Sequence, residues 1–246
     1  MALPLHTQIA SPPQRNDMLC HCPCCGSSFE KFLPFGIIQR LNARCPRCGC
    51  LERHRLLWLF LQSQTRLFVD HQKVLHVAPE PFLQKALRAM PHLAYISIDL
   101  ASPVAMMRMD ITDLTFPDDS FDCILCYHVL EHIPDDSAAM RELRRVLKPN
   151  GWAILQSPVY RNRATTYEDS CIVHPVDRER AFGQSDHVRI YGADYFQRLE
   201  DAGFRVRMDP FVRTLDPVSI ERYGLSAWEM IFICTKDPHI HRRSLC

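Results

Sequence analysis

Two copies of one short pattern, Cys22-Pro-Cys-Cys25-Gly and Cys45-Pro-Arg-Cys48-Gly, stand near the start of the chain with 19 residues between Cys25 and Cys45. Two thiolates three positions apart can face one tetrahedral ion. Proline and glycine favour a tight turn whose amides point at the sulfurs, and two such turns complete a four-thiolate shell. So small a segment has little core of its own, and metal binding is expected to supply much of its folding free energy. Cys22, Cys25, Cys45 and Cys48 are therefore the predicted ligands of a structural Zn²⁺. Cys20, Cys24 and Cys50 remain as spare thiols, so seven of the twelve cysteines crowd into residues 20–50. A closed shell of this kind has no open position for substrate, which makes it a staple rather than a catalytic centre.

The rest of the composition is that of a globular chain, with 47% hydrophobic and 23% charged residues among 246. A formal net charge of +1 provides no global field for nucleic acid or for a membrane surface. No run approaches the roughly 18 apolar residues of a spanning helix, and Met1 to Pro13 lacks the pattern of a secretory signal. With clustered cysteines, these features suggest a cytoplasmic location. The basic residues Arg40, Arg44, Arg47, Arg53 and Arg55 near the thiols read as solvated charge.

Beyond the cysteines, strand and helix signals alternate. A buried helix is expected over 51–67, and strands over 73–77, 95–98, 106–109, 121–126 and 152–155. Pro81 opens a helix, and Asp135 or Asp136 caps another that carries Met140, Leu143, Val146 and Leu147 on one face. A helix from Ala193 stops at Gly203, and strands follow near 204–208 and 229–234. Such alternation predicts an α/β, doubly wound, mostly parallel sheet. The expected domains are a lead-in over 1–19, a metal module over 20–50, a connecting helix over 51–72, a catalytic domain over 73–236 and a tail over 237–246. The stretch 158–192 is too long for an ordinary connection and is read as a substrate-side insertion.

The runs Asp110-Ile-Thr-Asp-Leu-Thr-Phe-Pro-Asp-Asp-Ser-Phe-Asp122, Cys126-Tyr-His-Val-Leu-Glu-His-Ile133 and Arg145-Val-Leu-Lys-Pro-Asn-Gly151 resemble the class I S-adenosylmethionine (SAM)-dependent methyltransferases. The N-terminal module is similar to zinc ribbons. The family resemblance implies a seven-stranded Rossmann-like sheet with one reversed strand at the end, and SAM across the carboxyl ends of the central strands. It assigns Asp99 to the ribose hydroxyls and Asp110 to the adenine amino group, with Ile111 giving a backbone amide and an apolar wall. Tyr127 and His128 fall near the sulfonium, and His128 is the implied general base, with His187 of the insertion as its rival.

One departure touches the family's glycine-rich first loop, because no glycine occurs between Gly49 and Gly151. His76 stands where an acid is usual, Ala78 where the first glycine is usual, and Glu80 lies just beyond. Either the loop is rebuilt, with Pro79 forcing the turn and Glu80 meeting the cofactor ammonium, or the fold is a scaffold that no longer binds SAM. The run Asp186-His-Val-Arg-Ile-Tyr191 either faces substrate or positions the next helix through Arg189 on backbone carbonyls. The expected partner is a methyl acceptor, small molecule or peptide before RNA, since an RNA enzyme gripping its substrate with the ribbon sits poorly with near-zero charge. A non-catalytic zinc-dependent binding protein is the reading from another class.

Overall fold

The computed structural model describes residues 19–37 and 39–236, so the expected lead-in, apart from Leu19, and the tail lie outside the described residues. Seven strands form the main sheet: β1 (Gln72–Val77), β2 (Leu93–Asp99), β3 (Met107–Arg108), β4 (Phe121–Tyr127), β5 (Leu147–Gln156), β6 (Arg205–Asp209) and β7 (Ile231–Thr235). Their order is β6-β7-β5-β4-β1-β2-β3. The pairs from β5 through β3 are parallel, while β7 runs antiparallel to both neighbours. The reversed strand is thus last in the chain, yet it lies one place inside the sheet edge.

The helices are α1 (Glu52–Gln64), α2 (Pro81–Arg88), α3 (Asp136–Val146), α4 (Pro175–Phe182), α5 (Tyr195–Asp201) and α6 (Pro217–Arg222). The central strands read as continuous apolar runs because they are buried on both faces. Successive residues feed opposite cores. Leu75, Ile124 and Cys126 pack with Met140 and Leu143 of α3 and Leu199 of α5. Val74, Cys123 and Leu125 pack with Leu57 and Leu61 of α1 and Leu83 and Leu87 of α2. Helix α1 therefore joins the cysteine module to the sheet and also roofs one of its faces. The side chain of Asp135 caps α3 by accepting from the amide of Ala138 at 2.8 Å.

The cysteine module is made of two short hairpins, Cys20–Cys22 with Ser27–Phe29 and Leu33–Phe35 with Arg40–Arg44. Arg55 holds it to the rest of the protein, and here the expectation of solvated charge fails. The side chain is fully buried. Its guanidinium donates to the carbonyls of Ala43 and Cys50 at 2.8 and 3.2 Å, Asn42 at 3.5 Å, Gly224 at 3.0 Å and Tyr223 at 2.5 Å. It also lies 3.9 Å over the Phe32 ring. A Cβ at Gly224 would stand 2.9 Å from that same ring, so the segment beyond α6 docks closely only because it has glycine there.

Within 158–192, Tyr167–Glu168 pairs with Arg189–Ile190, and α4 forms between them. Only Phe182 of α4 is buried, and no residue of α6 is. Neither helix offers an apolar stripe to read. No helix among the described residues is long and apolar enough to cross a membrane.

Candidate active site and thiol cluster

The chain leaves central strand β1 for β2 and β3 on one side, and takes β4 and β5 on the other. Between β1 and β4 the connections diverge, which is where open α/β sheets accept ligands. Ala78 follows β1, Asp99 ends β2, Asp110 follows β3, and Tyr127 ends β4 with His128 just beyond it. Neighbouring strands are spaced by about 4.8 Å, so these positions form a row along one rim of the sheet.

Two residues on that rim adopt left-handed backbone conformations, Ala78 at φ 48° and His128 at φ 58°. The turn that glycine normally makes after β1 is therefore present without glycine. A side chain in this region costs roughly 1–2 kcal/mol, and such strain concentrates at functional sites. Ala78→Gly is accordingly expected to raise stability by about 1 kcal/mol, or Tm by about 2–4 °C for a chain of this size. Thermal unfolding checks this; a fall in Tm would mean that the Ala78 methyl packs productively.

His76 is fully buried, with Nδ1 2.9 Å from the Tyr95 hydroxyl and Nε2 3.0 Å from Glu80 Oε2. It faces Glu80 rather than open space. His54 of α1 approaches Glu80 Oε1 at 3.5 Å. Burial opposes charge on Glu80, but the hydrogen bond from His76 leads the effects that more than offset it and hold the carboxyl down at about 2. Burial is also the main cause that lowers His54, to about 3, so this ring is neutral at physiological pH. Glu80 thus keeps an ionised carboxylate beside the β1 turn.

Asp99 Oδ1 accepts from the amides of Ala101 and Ser102, both at 2.7 Å, which fixes the carboxylate and turns Oδ2 over to other partners. Asp110 is exposed and accepts from the amide and hydroxyl of Thr112 at 2.8 Å each. The side chain of Ile111 packs into the core beside Ile98 and Leu114. Tyr127 is buried, its hydroxyl 3.4 Å from the carbonyl of Arg53.

The amide of His128 donates to the carbonyl of Gln156, at 2.7 Å. His128 Nδ1 lies 3.2 Å from Glu131 Oε1, and its Nε2 is buried without a hydrogen-bond partner. Glu131 is 2% exposed, and its Oε2 accepts from the Ser157 hydroxyl at 2.9 Å. Sequence reasoning treated Glu131 only as part of a motif; its spacing of three from His128, across a tight turn, was the available signal. His187 is buried and meets His132, their ring centroids 4.6 Å apart and nearly perpendicular. His128 and His187, the two rivals for general base, thus both border Glu131. Arg189 is buried and donates to the carbonyls of Leu130 and Pro134 at 2.9 and 2.8 Å, the positioning alternative for that segment.

The thiols converge as the duplicated turns require. Gly26 and Gly49 take φ values of 68° and 73°, and their amides close on the carbonyls of Cys22 and Cys45 at 2.8 and 3.0 Å. A tetrahedral Zn–S₄ site with bonds of ~2.3 Å has sulfurs about 3.8 Å apart. Cys22 to Cys48 is 3.7 Å and Cys25 to Cys45 is 3.8 Å. Cys50 also enters, 3.3 Å from Cys22, and the sulfurs of Cys22, Cys45, Cys48 and Cys50 all lie within 4.8 Å of one another. Soft thiolates in this number suit zinc. Three of the predicted ligands, Cys22, Cys45 and Cys48, converge with Cys50, while the fourth, Cys25, is placed against Cys45.

Residues 71–155 match the family model of a methyltransferase domain. Over 87 residues the chain is 31% identical to a 2-phytyl-1,4-naphtoquinone methyltransferase of Synechococcus elongatus, covering 33% of this chain and 37% of that protein. Over 115 residues it is 32% identical to the ubiquinone/menaquinone biosynthesis C-methyltransferase of Proteus mirabilis, covering 46% and 42%. The chain therefore spans well under half the length of these relatives. Among solved structures, a methyltransferase from Haloferax volcanii, in complex with the Trm112 methyltransferase activator, superposes with a TM-score of 0.53 at 18% identity. That match covers 75% of this chain and 91% of the other. An S-adenosylmethionine-dependent methyltransferase from Mesorhizobium loti gives 0.51 at 16% identity, covering 72% and 95%. Residues 71–155 are thus similar to a methyltransferase domain, and the sheet that they build together with β6 and β7 has the seven-stranded fold of the SAM-dependent methyltransferases.

Proposed function

We propose that this chain binds SAM along the rim formed by β4, β1, β2 and β3 and transfers its methyl group to a small-molecule or peptide acceptor. The observation that carries the reading is the preserved left-handed turn at Ala78, placed between Asp99 on one side and His128 on the other. Asp99 Oδ2 is oriented to accept from ribose hydroxyls. Asp110 serves the adenine end, with the backbone of Ile111 beside it. The ionised Glu80, braced by His76, faces the ammonium of the methionine part. When bound, SAM supplies an electrophilic methyl group on a sulfonium, and proximity of the acceptor accounts for much of the acceleration.

His128 acts as the general base. The Glu131 carboxylate, 3.2 Å from Nδ1, stabilises by its charge the imidazolium that forms when Nε2 takes a proton from the acceptor. His128→Ala is expected to lower kcat by roughly 10²–10⁴-fold while SAM affinity stays near wild type. Collapse of SAM binding in this variant would move His128 to the cofactor shell. Zn²⁺ in the thiol cluster is structural, shared among Cys22, Cys45 and Cys48 with Cys25 or Cys50 as the fourth ligand. Supplying methyl-labelled SAM with separated small-molecule, peptide and RNA fractions tests the acceptor class. Label is expected in the first or second fraction, and label confined to RNA would overturn the assignment.

A further inference from the structure

Glu131, His132 and His187 each offer one ligand atom, and those atoms lie within 4.8 Å of one another. They meet because the amide of Val188 donates to the carbonyl of Glu131 at 3.0 Å, and Arg189 ties the same segment to the turn after β4. We propose that these three residues form a second metal site, for a divalent first-row transition cation, separate from the thiol cluster.

Three observations support it. First, Glu131 is 2% exposed, yet its Oε1 makes no hydrogen bond; its neighbour His128 Nδ1, at 3.2 Å, is out of line for one. A buried carboxylate oxygen without a hydrogen bond is costly, and an ion would satisfy it. Second, two members of the trio are held from behind. Ser157 donates to Glu131 Oε2 at 2.9 Å, and Asp186 Oδ2 lies 3.3 Å from His132 Nδ1. Metal-binding histidines are oriented by this kind of outer partner, which leaves the other ring nitrogen for the ion. Third, two imidazoles and one carboxylate suit zinc, iron(II), cobalt(II) or manganese(II), and leave coordination positions open.

Bonds of about 2.1 Å place ligand atoms roughly 3–4 Å apart, so from separations of no more than 4.8 Å the trio closes on an ion with at most a small shift. The His132 side chain, 28% exposed against 2% for that of Glu131, has the freedom to supply that movement. The site adjoins His128 through the shared Glu131 carboxylate. Resting on the methyltransferase reading, this points to acceptors with a hydroxyl oxygen. Such an oxygen would enter an open position on the ion, which lowers its pKa as His128 removes the proton.

The test uses the full chain with its thiols saturated by zinc, titrated with Co²⁺ and followed by calorimetry and visible absorption. One Co²⁺ per chain is expected, without thiolate-to-cobalt charge transfer. Asp186→Asn, at an exposed position that leaves the fold intact, should weaken binding about 10–100-fold. His132→Ala and His187→Ala should abolish it while the zinc content stays unchanged. Wild type taking up no Co²⁺ beyond the zinc already bound would overturn the site, as would all three variants binding like wild type. SAM titration of the same samples reports the methyltransferase reading separately: Co²⁺ binding without SAM binding keeps the site and cancels only the inferred acceptor.

Discussion

Cys45→Ser is expected to release the metal and unfold the module over 20–50, leaving the N-terminal region open to protease. Cys45 is the right residue to change because its sulfur converges with those of Cys22, Cys48 and Cys50 and also lies 3.8 Å from that of Cys25. The module buries few apolar side chains other than its cysteines and Phe32. Most of its stability must then come from the ion, and structural zinc in small modules supplies on the order of 10 kcal/mol. Elemental analysis should find about one zinc per chain bound to thiols in the wild type and none in the variant. Cys25→Ser and Cys50→Ser then identify the fourth ligand as the one whose loss releases zinc. A full zinc complement in Cys45→Ser would show that the ion is held by other thiols.

Arg55→Ala is expected to cost about 3–5 kcal/mol in global stability, as read by urea denaturation. The change strips partners from five carbonyls spread over the cysteine module and the segment after α6. Each buried group left unsatisfied costs roughly 1–3 kcal/mol, and relaxation and water entry recover part of the sum. The cavity above Phe32 adds to the loss. Arg55→Lys should rescue little, because an ammonium has three donors and no planar fork with which to span those carbonyls. A loss below about 1 kcal/mol in Arg55→Ala would mean that the module and the sheet domain are held together elsewhere.

Arg55 also marks where the sequence is hard to read. An arginine near other arginines has solvent as its default surroundings. What buries this one is a set of carbonyls contributed in part from residues 223 and 224, which no local pattern announces. The same holds for the meeting of Glu131 with His187, set by chain segments 56 positions apart, and for the entry of Cys50 among the thiols. By contrast, β4 and the second half of β5 are legible as apolar runs, though β5 begins already at Leu147, ahead of the Pro-Asn-Gly stretch; α3 shows its cap and its stripe, and the Cys-Pro-x-Cys-Gly turns announce their own geometry. Helices α4 and α6 are missed for a physical reason: they bury almost nothing, so their sequences carry no period. At the first loop, the absent glycine is a correct observation that leaves the backbone undetermined. Ala78 takes the glycine conformation all the same, at a cost in strain.

Calorimetric titration of the zinc-loaded chain with SAM tests the central claim most directly, beside an Asp99→Ala control. One SAM per chain is expected for the wild type. Affinity should be lower by about tenfold or more in Asp99→Ala, the loss of roughly 1.5–3 kcal/mol that accompanies removal of a hydrogen-bonded carboxylate. A folded, zinc-replete wild-type chain that takes up no SAM would contradict that claim, and would leave the sheet as a scaffold that has kept the methyltransferase fold without its cofactor.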